Sequence, residues 1–251
     1  MTTGESLSRS LLADQVKDRL LERIVSGEYA PHSRIVETQV ARELNTSQAP
    51  VREALRALEA LCVVEIMPFK GARVRRPARR EILEAYAVRL ALEKLAIRLA
   101  APRLTKQDLV QLAEQCSAMH LRAREGDMHG VAAADAGFHG RILEVAGNRT
   151  LQTVWASLEP FLRTYITLVV PGADPEWAAN LHTPILEALQ QEDTEAAVLA
   201  ISQHFEAASA NLAARWEEES DPGAATPEAA EPPDGGLAQP LTDQTARVNH
   251  R

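Results

Sequence analysis

Residues 46–58 read TSQAPVREALRAL, and the order of apolar and polar residues in this stretch decides the fold of the first third of the chain. Val51, Leu55 and Leu58 fall on one stripe of a helix, where they can pack against other helices. A helix that reads DNA keeps such an apolar face inward and presents its N-terminal residues to base edges. The residues of this stretch predicted to contact DNA are Ser47, Gln48, Ala49, Arg52 and Arg56.

The neighbouring residues predict the elements that surround this helix. Helices are expected near residues 11–26 and 37–44, and the alternating residues 63–66 and 72–75 predict a hairpin that turns at Gly71. Three helices and a hairpin form a winged helix-turn-helix, in which Lys70, Gly71 and Arg73 of the wing contact DNA. The arginines that follow could extend this contact or form a solvated linker; they are Arg75, Arg76, Arg79 and Arg80.

Composition excludes several classes of protein. The chain has 251 residues, of which 45% are hydrophobic, which suits one or two globular domains. No stretch is long and apolar enough for a membrane span, and the N-terminus lacks a signal core, so we expect a cytoplasmic protein without a membrane partner. Cys62 and Cys116 are too few for a disulfide framework or a thiolate zinc cluster.

The net charge of −8 conceals a segregation of charge along the chain. Residues 1–80 carry 14 basic and 10 acidic residues, whereas residues 81–216 carry 11 and 17, and residues 217–251 carry 2 and 8. A basic first third joined to an acidic remainder is typical of a nucleic-acid-binding module fused to a domain with a different task.

Breaks in the pattern predict the domain organisation. We expect a flexible N-terminus at 1–9, the winged helix-turn-helix at 10–76, a linker at 77–80, an all-helical domain at 81–216 and a disordered acidic tail at 217–251. The breaks within 81–216, one of which is at Pro171-Gly172, predict six helices of about twenty residues. The predicted fold is therefore mainly α, with an N-terminal winged helix-turn-helix and a C-terminal antiparallel six-helix bundle whose interior can hold a ligand or metal.

Four side chains of the bundle could form a metal site. Asp135 and His139 are spaced i,i+4 and point the same way from one helix. His182 and His204 lie on later helices that an antiparallel bundle can bring to the same point. One carboxylate and three imidazoles suit zinc, nickel, iron or manganese. The alternative is that each histidine is an ordinary core or surface residue.

Four segments of the first third form a recognisable set: LADQV at 12–16, IVSGEYAP at 24–31, APVREALRALE at 49–59 and PFKGARV at 68–74. With these segments the first third resembles the GntR family of bacterial transcription regulators. In that family they form the winged helix-turn-helix, so the resemblance implies binding to a near-palindromic double-stranded operator. His32 and Cys62 stand where the family usually has glycine, and Gln48 stands where arginine is commonest, which alters the expected base preference.

Three segments of the helical domain contain the candidate metal ligands: DAGFHGRI at 135–142, HTPILEAL at 182–189 and AISQH at 200–204. With these segments residues 81–213 resemble the FCD ligand-binding domain of the FadR branch of this family, and six helices are more similar to its VanR subgroup. The resemblance implies that Asp135, His139, His182 and His204 bind a divalent metal, zinc first, and that Arg89 binds a small organic acid. The alternative role of Arg89 is an intrahelical salt bridge to Glu93.

These features favour a homodimeric transcription regulator whose DNA affinity depends on a metal-bound acid. Repression is the commonest mode among such relatives, so we expect a repressor. One alternative is a metal-dependent hydrolase or lyase with an accessory DNA-binding head. Another is a regulator whose zinc is purely structural, with a closed coordination sphere.

Overall fold

The computed structural model describes residues 3–68, 70–168 and 174–215, with side chains for 11–68, 70–160 and 174–214. The predicted tail at 217–251 and the predicted break at Pro171-Gly172 lie outside these residues. The helices are α1 (Thr3–Val25), α2 (Glu37–Glu43), α3 (Gln48–Ala60), α4 (Arg79–Ala100), α5 (Lys106–Arg124), α6 (Met128–Ala146), α7 (Arg149–Leu168), α8 (Pro175–Asn180), α9 (Thr183–Gln190) and α10 (Thr194–Arg215). The strands are β1 (Arg34–Ile35), β2 (Val64–Met67) and β3 (Gly71–Val74).

The first third is the predicted winged helix-turn-helix. Val51, Leu55 and Leu58 of α3 are fully buried, as their spacing predicts, and pack into a core formed with α1, α2 and the sheet. β2 and β3 pair antiparallel, with Val64 opposite Val74. The sequence analysis missed β1, which adds an antiparallel strand to the other edge of β3. A two-residue strand offers too little alternation to be recognised from sequence.

Two helices begin earlier than the sequence pattern indicates. α1 begins at Thr3 rather than near Leu11. α4 begins at Arg79, within the segment 77–80. The backbone N–H of Ala78 donates to Glu81, which satisfies an otherwise unpaired donor at the start of that helix. The domain boundaries and the flexibility of residues 1–9 stay predictions.

The bundle contains one helix more than predicted among the residues described. The expected fifth helix is divided into α8 and α9, and Leu181 and His182 lie between them. Asp174 starts α8 by accepting from the backbone N–H groups of Glu176 and Trp177. Pro184 has no N–H to donate to the carbonyl of the residue four before it, so it fits the first turn of a new helix and not a continuation of α8.

Two separate hydrophobic cores stabilise the molecule. One lies between α1, α2, α3 and the sheet, and the other extends through the bundle from Ile82 to Leu212. Phe138 and Leu143 of α6 are among its most deeply buried side chains, so α6 lies at the centre of the bundle. In the described part of the chain, no helix combines the length and the apolar character needed to cross a membrane.

His32 and Cys62 adopt backbone conformations that favour glycine. His32 has a φ of 67° and follows Pro31 in a turn closed by a bond from Ser33 N–H to Ala30 C=O. A positive φ at this position is the geometry of a type II turn. Cys62 has a φ of 57° directly after α3, where its own N–H and that of Val63 bond back to carbonyls of the last helical turn. This is a Schellman motif, in which glycine is the usual residue.

Cys62→Gly is therefore expected to stabilise the protein. A left-handed conformation costs an L-residue about 1–2 kcal/mol, and glycine removes most of that cost. We expect the free energy of unfolding of the winged helix-turn-helix to rise by about 1 kcal/mol in chemical denaturation. Cys62→Ala is the matched control, because it removes the thiol and keeps the Cβ. Equal stabilisation by both variants would contradict a backbone origin.

Candidate functional site

The four predicted metal ligands lie together in the bundle. Asp135 and His139 project from successive turns of α6, His182 stands directly before α9, and His204 lies within α10. One ligand atom from each lies within 4.8 Å of the others. His139, His182 and His204 are buried, whereas Asp135 is partly exposed. The bundle therefore brings ligands from α6, from the residue before α9 and from α10 to one point, as their sequence positions predict.

The distances within this group match those of atoms that share one ion. Nε2 of His182 lies 3.2 Å from Nε2 of His139 and 3.0 Å from Oδ1 of Asp135, and the latter two atoms are 3.6 Å apart. Ligands that bind one zinc at about 2.0–2.1 Å in a tetrahedral arrangement are roughly 3.3 Å from each other. The group thus fits a divalent ion without a large rearrangement.

Other contacts orient the two imidazoles that face each other. Nδ1 of His139 lies 2.5 Å from Oε2 of Glu93, and Nδ1 of His182 lies 3.2 Å from the carbonyl oxygen of Ala178. A metal-bound histidine commonly donates its second ring N–H to a carboxylate or a backbone carbonyl, which fixes the tautomer. Both rings therefore present Nε2 to the centre of the group.

His204 supplies an independent test of whether these residues fit a metal. Its Nδ1 is buried and makes no hydrogen bond with any residue that the structure describes. Buried polar atoms nearly always have a partner, and a metal ion is one that satisfies an imidazole nitrogen. The unpaired nitrogen and the converging ligand atoms therefore both fit a metal.

Charges around the group favour the metal-binding ionisation states of Asp135 and His204 but not of His139. Although burial lowers it, the charges of Glu93 and Asp135 raise the pKa of His139 to about 9, so a metal would have to displace that proton. Burial alone would raise the pKa of Asp135, but His139, His182 and Arg89 hold the pKa of this carboxyl well below its usual range. Burial, together with the nearby His182 and His139, lowers the pKa of His204 well below its usual value. Asp135 is accordingly an anion and His204 a neutral imidazole, which are the forms that bind metal.

Glu93 is the functional residue whose role the sequence analysis missed. Although burial favours its neutral form, the charges of His139 and Arg89 lower the pKa of Glu93 to about 2. Oε1 of Glu93 accepts from Nε of Arg89 at 2.6 Å and from Nε1 of Trp155 at 2.9 Å. Sequence spacing predicts the contact with Arg89, but Trp155 and His139 reach Glu93 only because α6 and α7 pack against α4.

Arg89 lies behind the ligands rather than in the open. It forms the predicted alternative, the intrahelical salt bridge to Glu93, and both side chains are buried. Its Nη2 lies 3.5 Å from Oδ2 of Asp135 and makes no hydrogen bond among the described residues. Binding of an organic acid by Arg89 remains a prediction, and this side chain does not line the nearby cavity as described.

A cavity of about 90 Å³ opens beside the ligand group. Asp135, His182 and His204 border it, so a metal at this point would be accessible to a small ligand. Tyr86 and Asn211 also border the cavity. Its other described walls are mostly carbon, with the indole N–H of Trp177 as a further donor, and come from Met128, Val131, Ala132, Trp177, Ala178, Leu181, Ala208 and Leu212.

Seven of the eight predicted DNA-contacting residues are exposed, and Gly71 is half-buried. Ser47 precedes α3, and its side chain makes no capping bond to the helix. The exposed residues are Ser47, Gln48, Ala49, Arg52, Arg56, Lys70 and Arg73. Arg52 is paired with Glu37 at 2.9 Å, and Arg73 is paired across the hairpin with Glu65 at 2.9 Å. DNA contact by these residues stays a prediction.

Gly71 has a structural role at the tip of the wing, where β3 begins. Its φ is +86°, and a Cβ at this position would lie 2.3 Å from the carbonyl oxygen of Ile35. The Lys70 carbonyl accepts from Nε of Arg34, which ties the tip of the wing to β1. Arg75 and Arg80, which follow the wing, bond to Glu81 and Glu84 respectively. These pairs favour a structural role for both arginines.

Comparisons with known proteins agree with this architecture. The chain matches the models of the gntR family of bacterial regulatory proteins over residues 12–74 and of the FCD domain over residues 84–207. It is 35% identical over 205 residues to the probable D-xylose utilization operon transcriptional repressor of Paenarthrobacter nicotinovorans, with 82% of this chain and 90% of that protein covered. It is 26% identical over 226 residues to the HTH-type transcriptional repressor RspR of Escherichia coli, with 88% and 98% covered.

Solved structures show the same fold. E. coli McbR/YncC superposes with a TM-score of 0.70 at 24% identity, covering 82% of this chain and 99% of that one. A structure described as a GntR transcriptional regulator from Rhodococcus sp. RHA1 superposes with a TM-score of 0.73 at the same identity and coverage. The similar curated proteins are transcription regulators and not enzymes, so the hydrolase or lyase hypothesis is set aside.

Glu93→Gln tests whether the carboxylate of Glu93 strengthens metal binding through His139. The variant keeps the shape of the side chain and all four ligands, but it removes the charge beside His139. We expect metal affinity to fall by about 10–100-fold, measured by competition with a chromophoric chelator. Glu187→Gln, at an exposed position on α9, is the matched control and should bind as the wild type does. Unchanged affinity in Glu93→Gln would show that His139 does not depend on Glu93 for metal binding.

Proposed function

Because the chain belongs to the GntR family of bacterial transcription regulators and carries an FCD domain, we propose that a small organic acid, bound at a divalent metal, controls its affinity for an operator. The observation that carries this proposal is the convergence of four ligand atoms within 4.8 Å beside a cavity. The open cavity favours a metal that takes a ligand over the alternative of a closed, purely structural zinc. Such a regulator acts in the cytoplasm, on double-stranded DNA.

The residues that would hold the metal are Asp135, His139, His182 and His204. Their mixture of imidazole and carboxylate favours zinc, and nickel, iron or manganese also suit it. When bound, the metal supplies a positive charge that attracts a carboxylate. Arg89, buried behind Asp135 and outside the cavity lining, would add the electrostatic attraction of its charge rather than a direct bond to the acid.

The DNA-binding half of the proposal rests on α3 and the wing. Gln48 and Arg52 stand exposed in the first turns of α3, where side chains reach base edges in the major groove. Lys70 lies at the tip of the wing and suits a phosphate or the minor groove. Repression is the mode we propose, because two of the similar proteins carry that description.

A second copy of the chain is the partner that we propose for the outer face of α4. Val88 and Leu95 are 49% and 44% exposed on this face, with Ala91 between them. If two copies of α4 cross antiparallel at Ala91, Glu84 of each lies opposite Arg98 of the other, because both are seven residues from Ala91. Apolar contact at the centre and opposite charges at the rim are typical of a two-fold interface.

Leu95→Glu tests this dimer. A buried carboxylate without a partner at the centre of the interface should convert the dimer to a monomer at micromolar concentration. Size-exclusion chromatography with light scattering measures the change. Leu121→Glu, at a 48% exposed position on α5, is the control and should leave the mass unchanged. A dimer that survives Leu95→Glu contradicts pairing through α4.

Lys70→Ala tests DNA binding by the wing. Removing one phosphate contact per protomer should weaken binding to all duplex sequences and reduce the slope of log affinity against log salt by about one per protomer. Fluorescence anisotropy with a random-sequence duplex measures this without knowledge of the operator. Lys106→Ala makes the same change of charge on the bundle and should leave the slope as it is. Equal slopes for Lys70→Ala and the wild type would contradict the wing contact.

A further inference from the structure

We infer that the ligand of the helical domain is a small monocarboxylate with an apolar body, and that sugar acids, which carry hydroxyl groups along the chain, are rejected. The inference rests on the proposed function, because it takes the carboxylate to be held at the metal site. It goes further by naming the chemistry of the remainder of the ligand.

The walls of the cavity carry this inference. A ligand whose carboxylate lies near Asp135, His182 and His204 must place its remaining atoms against the other lining residues. Most of these are carbon surfaces, with Val131 and Leu212 buried and Trp177 and Leu181 half-buried. Methylene groups gain free energy when they leave water for such surfaces.

The polar groups that the described residues place on the walls are few compared with the hydroxyl groups of a polyol. Apart from the metal-site residues, the described lining side chains with hydrogen-bonding N or O atoms are Tyr86, Asn211 and Trp177, and Trp177 offers a single N–H donor. A sugar acid has a hydroxyl group on every carbon beyond the carboxylate, so most of these groups would lose water and face carbon. Desolvation without a replacement hydrogen bond is unfavourable for each hydroxyl group.

The size of the cavity limits the ligand further. Its volume of about 90 Å³ is well below the roughly 300 Å³ at which pockets for drug-sized ligands begin. Little space remains for water molecules that could bridge a hydroxyl group to the protein. A short, unsubstituted chain is therefore the body that this cavity accommodates.

Matched pairs of acids test the inference. Pentanoate and xylonate have the same number of carbon atoms and one carboxylate each, as do hexanoate and gluconate. We expect calorimetric titration of the zinc-loaded full chain to give at least about tenfold tighter binding for the unsubstituted acid of a pair. Treatment with a chelator should abolish the binding of both acids.

A substitution in the cavity wall tests the role of the cavity independently of the metal site. Leu181→Asn places an amide on the cavity wall without altering a metal ligand. It should weaken pentanoate binding by about fivefold or more and leave zinc binding as it is. Leu199→Asn is the control, because Leu199 is 59% exposed on α10 and does not line the cavity.

The possible outcomes distinguish this inference from the proposed function. Xylonate or gluconate binding as tightly as its unsubstituted partner overturns the inference and leaves a metal-anchored acid sensor intact. Zinc binding without binding of any of the four acids overturns both the inference and the proposed control by an acid. Absence of zinc binding overturns the site itself, and the inference with it.

Discussion

The carboxylate of Glu93 is the group on which the bundle's functional centre depends. It contacts Arg89 on its own helix, Trp155 of α7 and His139 of α6, all within the protein interior. A buried carboxylate without such partners would be strongly unfavourable, so these contacts fix how α4, α6 and α7 pack. The same contacts orient His139 toward His182 and Asp135. Stability of the core and geometry of the metal site therefore share one interaction.

α6 connects this centre to the DNA-binding half of the chain. It supplies Asp135 and His139 to the metal site, and Met128 in its first turn borders the cavity. The next residue, His129, borders a surface depression together with Arg19 and Arg23 of α1. α6 also packs against α7, which contacts α1. A ligand that changes the position of α6 would therefore act through α7 on the helix that supports α3. This is a physical route for the control of DNA affinity that we propose.

Patterns in the sequence predicted the features that depend on residues close together along the chain. The apolar stripe of α3, the hairpin and the i,i+4 pair of Asp135 and His139 follow from the periodicity of helices and strands. Contacts between segments far apart in the sequence could not be predicted from local patterns. The pairing of β1, the contacts of Glu93 with His139 and Trp155, and the apolar walls of the cavity all depend on how the helices and strands pack. The prediction of six bundle helices was wrong by one in the described residues, because Pro184 fits the first turn of a new helix and so separates α9 from α8.

X-ray absorption spectroscopy of the zinc-loaded full chain tests the central claim most directly. The account predicts three imidazole nitrogens and at least one oxygen at about 2.0–2.2 Å from the metal, with an imidazole count that falls to two in His182→Ala. Added pentanoate should change the oxygen contribution and leave the nitrogen contribution as it is. A spectrum with no more than one imidazole, or one that His182→Ala does not alter, would contradict a metal centre in this bundle.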